Sequence, residues 1–276
     1  MSVAPAVSVC IPAYRGAVHI GEAIESVLAQ TLADFELVVI DDASPDDTAQ
    51  VVARYRDARI RFVRNERNAG VQANWNRCLE LARGRYFKLL PQDDLIAPEC
   101  LVREVAVLEA DRDERLALVA CARRIIDGRS RTLMTRGYAR RGRGLIPART
   151  VLRHCMQRGT NLLGEPGGVL FRTALGRRVG GFDASIGNVT DLDCWFRLLL
   201  HGDAYYLPER LAAFRVARGS WSLDIGAGQA AHFRAFIARV GANPAFGTTA
   251  LDRTRGRLMS QANVLARLVF YRLVVR

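Results

Sequence analysis

The chain has 276 residues, 50% of them hydrophobic and 25% charged. That is the composition of a folded globular protein, and it excludes a disordered chain, a collagen-like repeat and a disulfide-stapled miniprotein. The net charge is +12, from 40 basic side chains that are all arginine except Lys88; so one-sided a choice follows genome base composition, and the arginines scatter along the whole chain, so nucleic acid is not among the expected partners.

No charge-free apolar run reaches the roughly 18 residues of a membrane span. The opening residues lack the basic segment of a signal peptide. Cys10, Cys78, Cys100, Cys121, Cys155 and Cys194 form no CxxC pair and mostly sit in apolar runs. This predicts buried free thiols and a reducing, cytoplasmic setting. The histidines at 19, 154, 201 and 232 share no metal-ligand spacing.

The first hundred residues alternate strand and helix signals. Residues 7–11 are a β-branched run ending at Pro12, and residues 18–30 carry helical spacing at Ile20, Ile24, Val27 and Leu28. Residues 35–40 are apolar except Glu36, as in a buried parallel strand. Residues 45–55 read as a short helix capped by Ser44. A strand at 60–63, a helix at 71–81, a strand at 86–90 and a helix at 98–108 follow. The order predicts a mostly parallel sheet with helices on both faces. Beyond residue 115, two short strands are expected at 116–121 and 124–126. Residues 129–143 read as an Arg- and Gly-rich surface loop. A helix at 151–156, a strand at 167–171, a helix at 191–200 and a strand at 211–216 complete the body. Residues 251–276 interleave leucines and valines with arginines. They predict a basic amphipathic helix, suited to packing or to docking on an anionic membrane surface.

In an open parallel sheet, ligands bind beyond the carboxyl ends of the strands. Asp41 and Asp42 end the second strand, Asp93 and Asp94 follow the fourth, and Pro12, Ala13 and Tyr14 end the first. Adjacent carboxylates repel, and a divalent cation holding phosphates, Mg²⁺ or Mn²⁺, would relieve that repulsion. Each pair taken alone also fits turn and capping chemistry. Asn68 and Gly70 precede the helix that bears Asn74 and Asn76. There, backbone N–H groups can approach an anion, or the asparagines can simply cap the turn.

At these positions the chain resembles the family 2 glycosyltransferases of the GT-A fold. The matching pieces are VSVCIPAY at 7–14, LVVIDDAS at 37–44, NAG at 68–70 running on to Asn74-Trp75-Asn76, ARGRY at 82–86, LLPQDD at 89–94, GGFD at 180–183 and TDLD at 190–193. The resemblance spans residues 6–222, and its specificity lies in the order and spacing of the pieces. It implies a GT-A (Rossmann-like) α/β domain over residues 1–222. Residues 1–110 would form the nucleotide-sugar lobe, 111–222 the acceptor lobe, and 223–276 a C-terminal helical extension.

The resemblance also implies roles. Pro12, Ala13 and Tyr14 line the nucleoside pocket, Asp42 with Asp41 binds the base, and Asn68, Gly70 and Asn74 flank it. Asp93 and Asp94 hold Mn²⁺ or Mg²⁺ and the sugar-diphosphate. Asp191 is the general base of an inverting transfer. Glu165 and Trp221 are candidates for the acceptor side. The implied donor is a nucleotide-sugar, by default a UDP-sugar. The implied acceptor is a glycan or a lipid-linked hydroxyl in cell-surface polysaccharide synthesis, reached by a cytoplasmic enzyme in peripheral contact with the inner membrane face. Three departures stand out. Pro91 replaces an aspartate, Ala217 replaces a histidine for which Arg215 or Arg218 could supply charge, and no QxxRW signature is present. The first two motivate an alternative, a degenerate, non-catalytic member that binds a nucleotide-sugar or a partner.

Overall fold

A computed structural model describes residues 4–138, 143–216 and 228–274. Its first part is a βαβ series: β1 (Val7–Ala13), α1 (Ile20–Leu28), β2 (Phe35–Asp41), α2 (Thr48–Val52), β3 (Ile60–Arg64), α3 (Val71–Leu81) and β4 (Tyr86–Leu89). Then come β5 (Leu95–Ile96), α4 (Cys100–Ala110), β6 (Leu116–Asp127), β7 (Thr132–Arg136), β8 (Gly144–Ile146) and α5 (Ala148–Arg158). The chain continues through β9 (Val169–Arg172), α6 (Thr173–Arg178), α7 (Thr190–Leu198), β10 (Asp203–Val216), α8 (Gly228–Ala242) and α9 (Ala250–Val274).

The strands form one sheet in the order β3-β2-β1-β4-β9-β6-β10-β5, with β7 paired to β6 and β8 to β10. The first four strands are parallel. β9 runs antiparallel between β4 and β6, and β10 runs parallel to β6. Alternation along each strand divides the core between the two faces. Val9, Ile11, Leu37 and Val39 pack with α1, α2 and α4 on one face. Cys10, Val38, Ile40, Phe87 and Leu89 pack with α3, α5, α7 and α8 on the other. The expected α/β architecture with helices on both faces is therefore observed.

The stretch expected as a loop at 129–143 contains β7, paired antiparallel to β6, and three further local expectations need correction. The second helix starts at Thr48 with Asp47 at its N-cap, and the Ser44 hydroxyl instead accepts from the Arg15 amide. The two strands expected at 116–126 are one, because Arg123 inside the run is buried and ion-paired with Glu165 rather than solvated. β10 begins eight residues early, and Pro208 falls where its register against β6 shifts, an irregularity in which proline is tolerated.

Helix α9 packs on α5 and α8. At the crossing, a Cβ on Gly256 would lie 2.4 Å from the Met156 carbonyl oxygen, so only glycine lets the two backbones approach. Among the described residues one ion pair is fully buried, Lys88 on β4 with Glu104 on α4, at 2.9 Å. The Lys88 ammonium also donates to the carbonyls of Gly167 and Val169, which anchors the turn before β9.

Removing one partner of such a pair leaves a charge stranded, at a cost of about 3–5 kcal/mol. Chemical denaturation of Lys88→Met should show a loss of that size. The Lys88→Met/Glu104→Leu double variant should recover only part of it, since the two carbonyls remain unpartnered. A single variant as stable as the parent would contradict this account.

Candidate active site

The carboxyl ends of β1, β2 and β4 open into a cavity of about 680 Å³. Pro12, Ala13 and Tyr14 line it at the end of β1, together with Asp42, Asn68, Gly70, Asn74 and Asp93. The Gln92 side chain clamps the end of β1, accepting from the Tyr14 amide and donating to its carbonyl, each at 2.9 Å. Asp42 is the anchor of the neighbouring loop. Its Oδ1 accepts from Asn65 Nδ2 at 2.6 Å and from the Ala69 amide at 2.9 Å, and its Oδ2 accepts from the Gly70 amide at 2.9 Å. Gly70 has φ of 90°, and a Cβ there would meet nothing within 4 Å; the backbone conformation, not crowding, demands glycine. Asn74 is buried, donates to the Ile40 carbonyl and accepts from Asn65.

Two of the expected carboxylates do not line the cavity. Asp41 is fully buried, accepts from the Ser44 amide and lies 3.3 Å from Arg64. It is the last residue of β2, and consecutive side chains leave a strand on opposite faces. Asp94 is buried behind Asp93, where its Oδ1 accepts from the Arg215 amide at 2.9 Å. Burial raises the pKa of both Asp93 and Asp94, and the Asp93 charge raises Asp94 further.

Arg215, one of the arginines expected to supply loose positive charge, is instead committed. Its Nε donates to the Asp93 carbonyl at 2.7 Å, Nη1 to the Asp127 carbonyl and the Ser130 hydroxyl, and Nη2 to Glu22 at 2.9 Å. It fixes the Asp93–Asp94 turn from below. Arg218, Ala217 and Trp221 lie outside the described residues.

Asp191 lines the same cavity at the start of α7. Burial pushes its carboxyl up to about 7 against the Leu192 amide bond; the Glu165 charge adds to the rise, and Asn161 and Arg123 oppose it. Asn161 Nδ2 donates to Asp191 Oδ2 at 2.9 Å and to the Gly164 carbonyl at 2.8 Å, while its Oδ1 accepts from the amides of Leu163 and Gly164. One side chain thus orders the loop and aims the carboxylate. Glu165 also lines the cavity, in a close pair with buried Arg123.

Sequence reasoning missed Asn161, Arg123 and Gln92, and it missed the far wall. That wall comes from α8 and α9, through Gln229, Phe233, Ser260, Val264, Arg267 and Phe270. An arginine inside an otherwise apolar strand was the available signal for Arg123. Nothing in the sequence marked Asn161.

The architecture is that of the GT-A fold. The chain superimposes on the Staphylococcus aureus TarS fragment 1–349 in complex with UDP-GlcNAc with a TM-score of 0.70 at 18% identity, covering 98% of this chain and 76% of that one. A mannosyltransferase from Pyrobaculum calidifontis in complex with GDP-Man and Mn²⁺ gives 0.68 at 19% identity, covering 100% and 77%. Residues 8–180 match the model of glycosyl transferase family 2, and the chain belongs to that family. An uncharacterized protein of Mycobacterium tuberculosis is 32% identical over 76% of this chain, and an uncharacterized glycosyltransferase of Rickettsia typhi is 30% identical over 77%. The matched region spans 67% and 64% of those two relatives.

The Asp191 surroundings are testable without any substrate. Carboxyl ¹³C NMR should find one aspartate titrating near pH 7, absent from Asp191→Asn. Asn161→Leu removes a donor that favours the ionised form, so the titration should move up by roughly 1 unit, as expected for losing a hydrogen bond to a charged group. A downward move would refute the assignment.

Proposed function

We propose that this protein is an inverting glycosyltransferase, moving a sugar from a nucleotide-diphosphate sugar to a hydroxyl of a glycan or lipid-linked acceptor. The observation that carries the reading is one cavity holding the nucleoside-side residues, Asp93, and a separate carboxylate, Asp191, whose pKa lies near the working range of a base. A base matched to ambient pH is worth about 10²–10⁴-fold.

Pro12, Ala13 and Tyr14 would cover the nucleoside. Asp42 shapes the Asn68–Gly70 rim and retains acceptor capacity on Oδ2 for a base N–H. Asp191 would take the acceptor proton as that oxygen attacks the anomeric carbon. The nucleoside diphosphate would leave from the opposite face, which inverts the configuration. Among the described residues, no group of three or more His, Cys, Asp or Glu gathers into a metal cage. The donor set still fits Mg²⁺ or Mn²⁺ in the mode that uses one or two carboxylates plus substrate phosphates. Asp93 would supply that carboxylate, steadied by Asp94 and Arg215. Such an ion, when bound, neutralises charge on the departing diphosphate.

A second reading, a nucleotide-sugar-binding member without turnover, draws support from Pro91 and from the committed guanidinium of Arg215. A thermal-shift series of UDP, GDP, dTDP and CMP with Mn²⁺, Mg²⁺ or EDTA separates the readings when combined with donor turnover. A ligand at 100 times its Kd stabilises by about 2.7 kcal/mol. We expect one nucleotide to shift the melt only with metal, and Asp191→Asn to keep that shift while losing at least 100-fold in turnover. Binding without turnover in the parent would favour the second reading, and no shift by any nucleotide would defeat both.

Peripheral membrane contact is part of the proposal. Among the described residues, no helix is long and apolar enough to cross a membrane. Helix α9 exposes Leu251, Leu258, Leu265 and Val269, one stripe at helical spacing, with Arg255 and Arg257 among the exposed residues between them. The basic charge favours an anionic bilayer as the occupant of that stripe. The protein should co-sediment with vesicles containing phosphatidylglycerol and not with pure phosphatidylcholine, and Leu258→Asp/Leu265→Asp should abolish it. Equal sedimentation of parent and variant would refute this contact.

A further inference from the structure

One stretch of the cavity wall, called the arm below, joins Asp191 through Arg123 and Glu165 and has an unusual composition. Its floor is built on three adjacent strands. Met134 on β7, Ile125 on β6 and Phe214 on β10 are register partners, forming one apolar row across the sheet. Beside that row, Arg123 and Arg136 face each other as direct partners on β6 and β7. All five side chains line the cavity. From α8 and α9, Phe233, Val264, Arg267 and Phe270 line the same cavity.

Like charges directly opposite on paired strands are destabilising. Arg123 is balanced by Glu165. Arg136 is exposed, and among the described residues no carboxylate forms an ion pair with it. The arm therefore holds uncompensated positive charge against a largely hydrocarbon surface. A neutral glycan would leave the cation unanswered and would wet the aliphatic side chains. A phosphate would answer it, since guanidinium pairs with phosphate through two parallel N–H bonds. A hydrocarbon chain would cover the apolar row and the side chains of α8 and α9.

We propose that this arm binds a phosphate or diphosphate carried on a hydrocarbon chain, so that the acceptor is a lipid-phosphate-linked species rather than a free glycan. The inference rests on the glycosyltransferase reading for its use but not for its test. Arg136 holds the phosphate, beside the Glu165-paired Arg123. Met134, Ile125, Phe214 and Val264 take the first part of the chain. The acceptor hydroxyl then lies toward Asp191.

The test is binding, by calorimetry below the critical micelle concentration, of farnesyl phosphate, farnesol and inorganic phosphate to the whole chain, with UDP plus Mn²⁺ measured in parallel. Farnesyl phosphate should bind at least tenfold more tightly than either fragment. Arg136→Glu and Met134→Asp, both on a strand at the sheet margin, should each weaken it at least tenfold and leave UDP affinity unchanged. Inorganic phosphate binding as tightly as farnesyl phosphate would overturn the inference in favour of a free-phosphate site. Farnesol binding as tightly would reduce the arm to an apolar groove and overturn it too. Farnesyl phosphate affinity indifferent to both variants would place the lipid elsewhere and overturn it. UDP binding with no farnesyl phosphate binding sinks this inference alone; farnesyl phosphate binding with no nucleotide binding sinks the proposed function alone.

Discussion

Arg215 ties the end of β10 to α1, to the turn after β4 and to the end of β6. Its guanidinium is fully buried, and a buried charge is tolerated only when paired and hydrogen-bonded. Its partners come from α1, from the turn after β4 and from the β6–β7 turn, and its own amide bonds Asp94. Those segments are remote in sequence, and nothing apolar could hold them in one geometry, because their facing groups are carbonyls and carboxylates. The position of Asp93 in the cavity is thus set from β10, more than a hundred residues downstream.

The same logic recurs along the carboxyl edge of the sheet. Lys88 holds the turn before β9, Asp42 holds the loop before α3, Gln92 ties the end of β1, and Asn161 holds the loop facing α7. Each is a polar side chain that satisfies backbone groups which a strand-to-loop transition leaves open. The core on the two faces supplies the bulk of the stability, but it is non-directional. These few polar ties give the cavity its shape. The cavity wall from β6, β7, β10, α8 and α9 is built differently, from side chains projecting off strands and off two helices.

How much of this was legible depended on where the signal lay. The α3 boundaries at Val71 and Leu81 were readable because Gly70 precedes the first turn and apolar periodicity runs through the helix. The parallel strands were readable because burial on both faces removes alternation. Ser44 was misread because a serine shortly before a helix looks like a cap whether or not its hydroxyl is taken by Arg15. Asp41 and Asp94 stand beside residues that do enter the cavity, and a dipeptide cannot say which of its two carboxylates faces inward. The far wall was invisible for another reason. Val264 and Phe270 belong to a helix whose apolar residues face two ways, and only the crossing at Gly256 decides which ones reach the cavity.

Lys88 carries a consequence for handling the molecule. It is the sole lysine of the chain and is completely enclosed, so the native surface presents no ε-amine to acetyl donors, succinimidyl esters or aldehyde fixatives. Arginine supplies every other side chain of the Lys/Arg count and is not acylated by acetyl donors or succinimidyl esters. Covalent tagging at this one nitrogen then becomes a clock for opening of the β4–α4 contact, since the label can enter only when that part of the sheet has come apart.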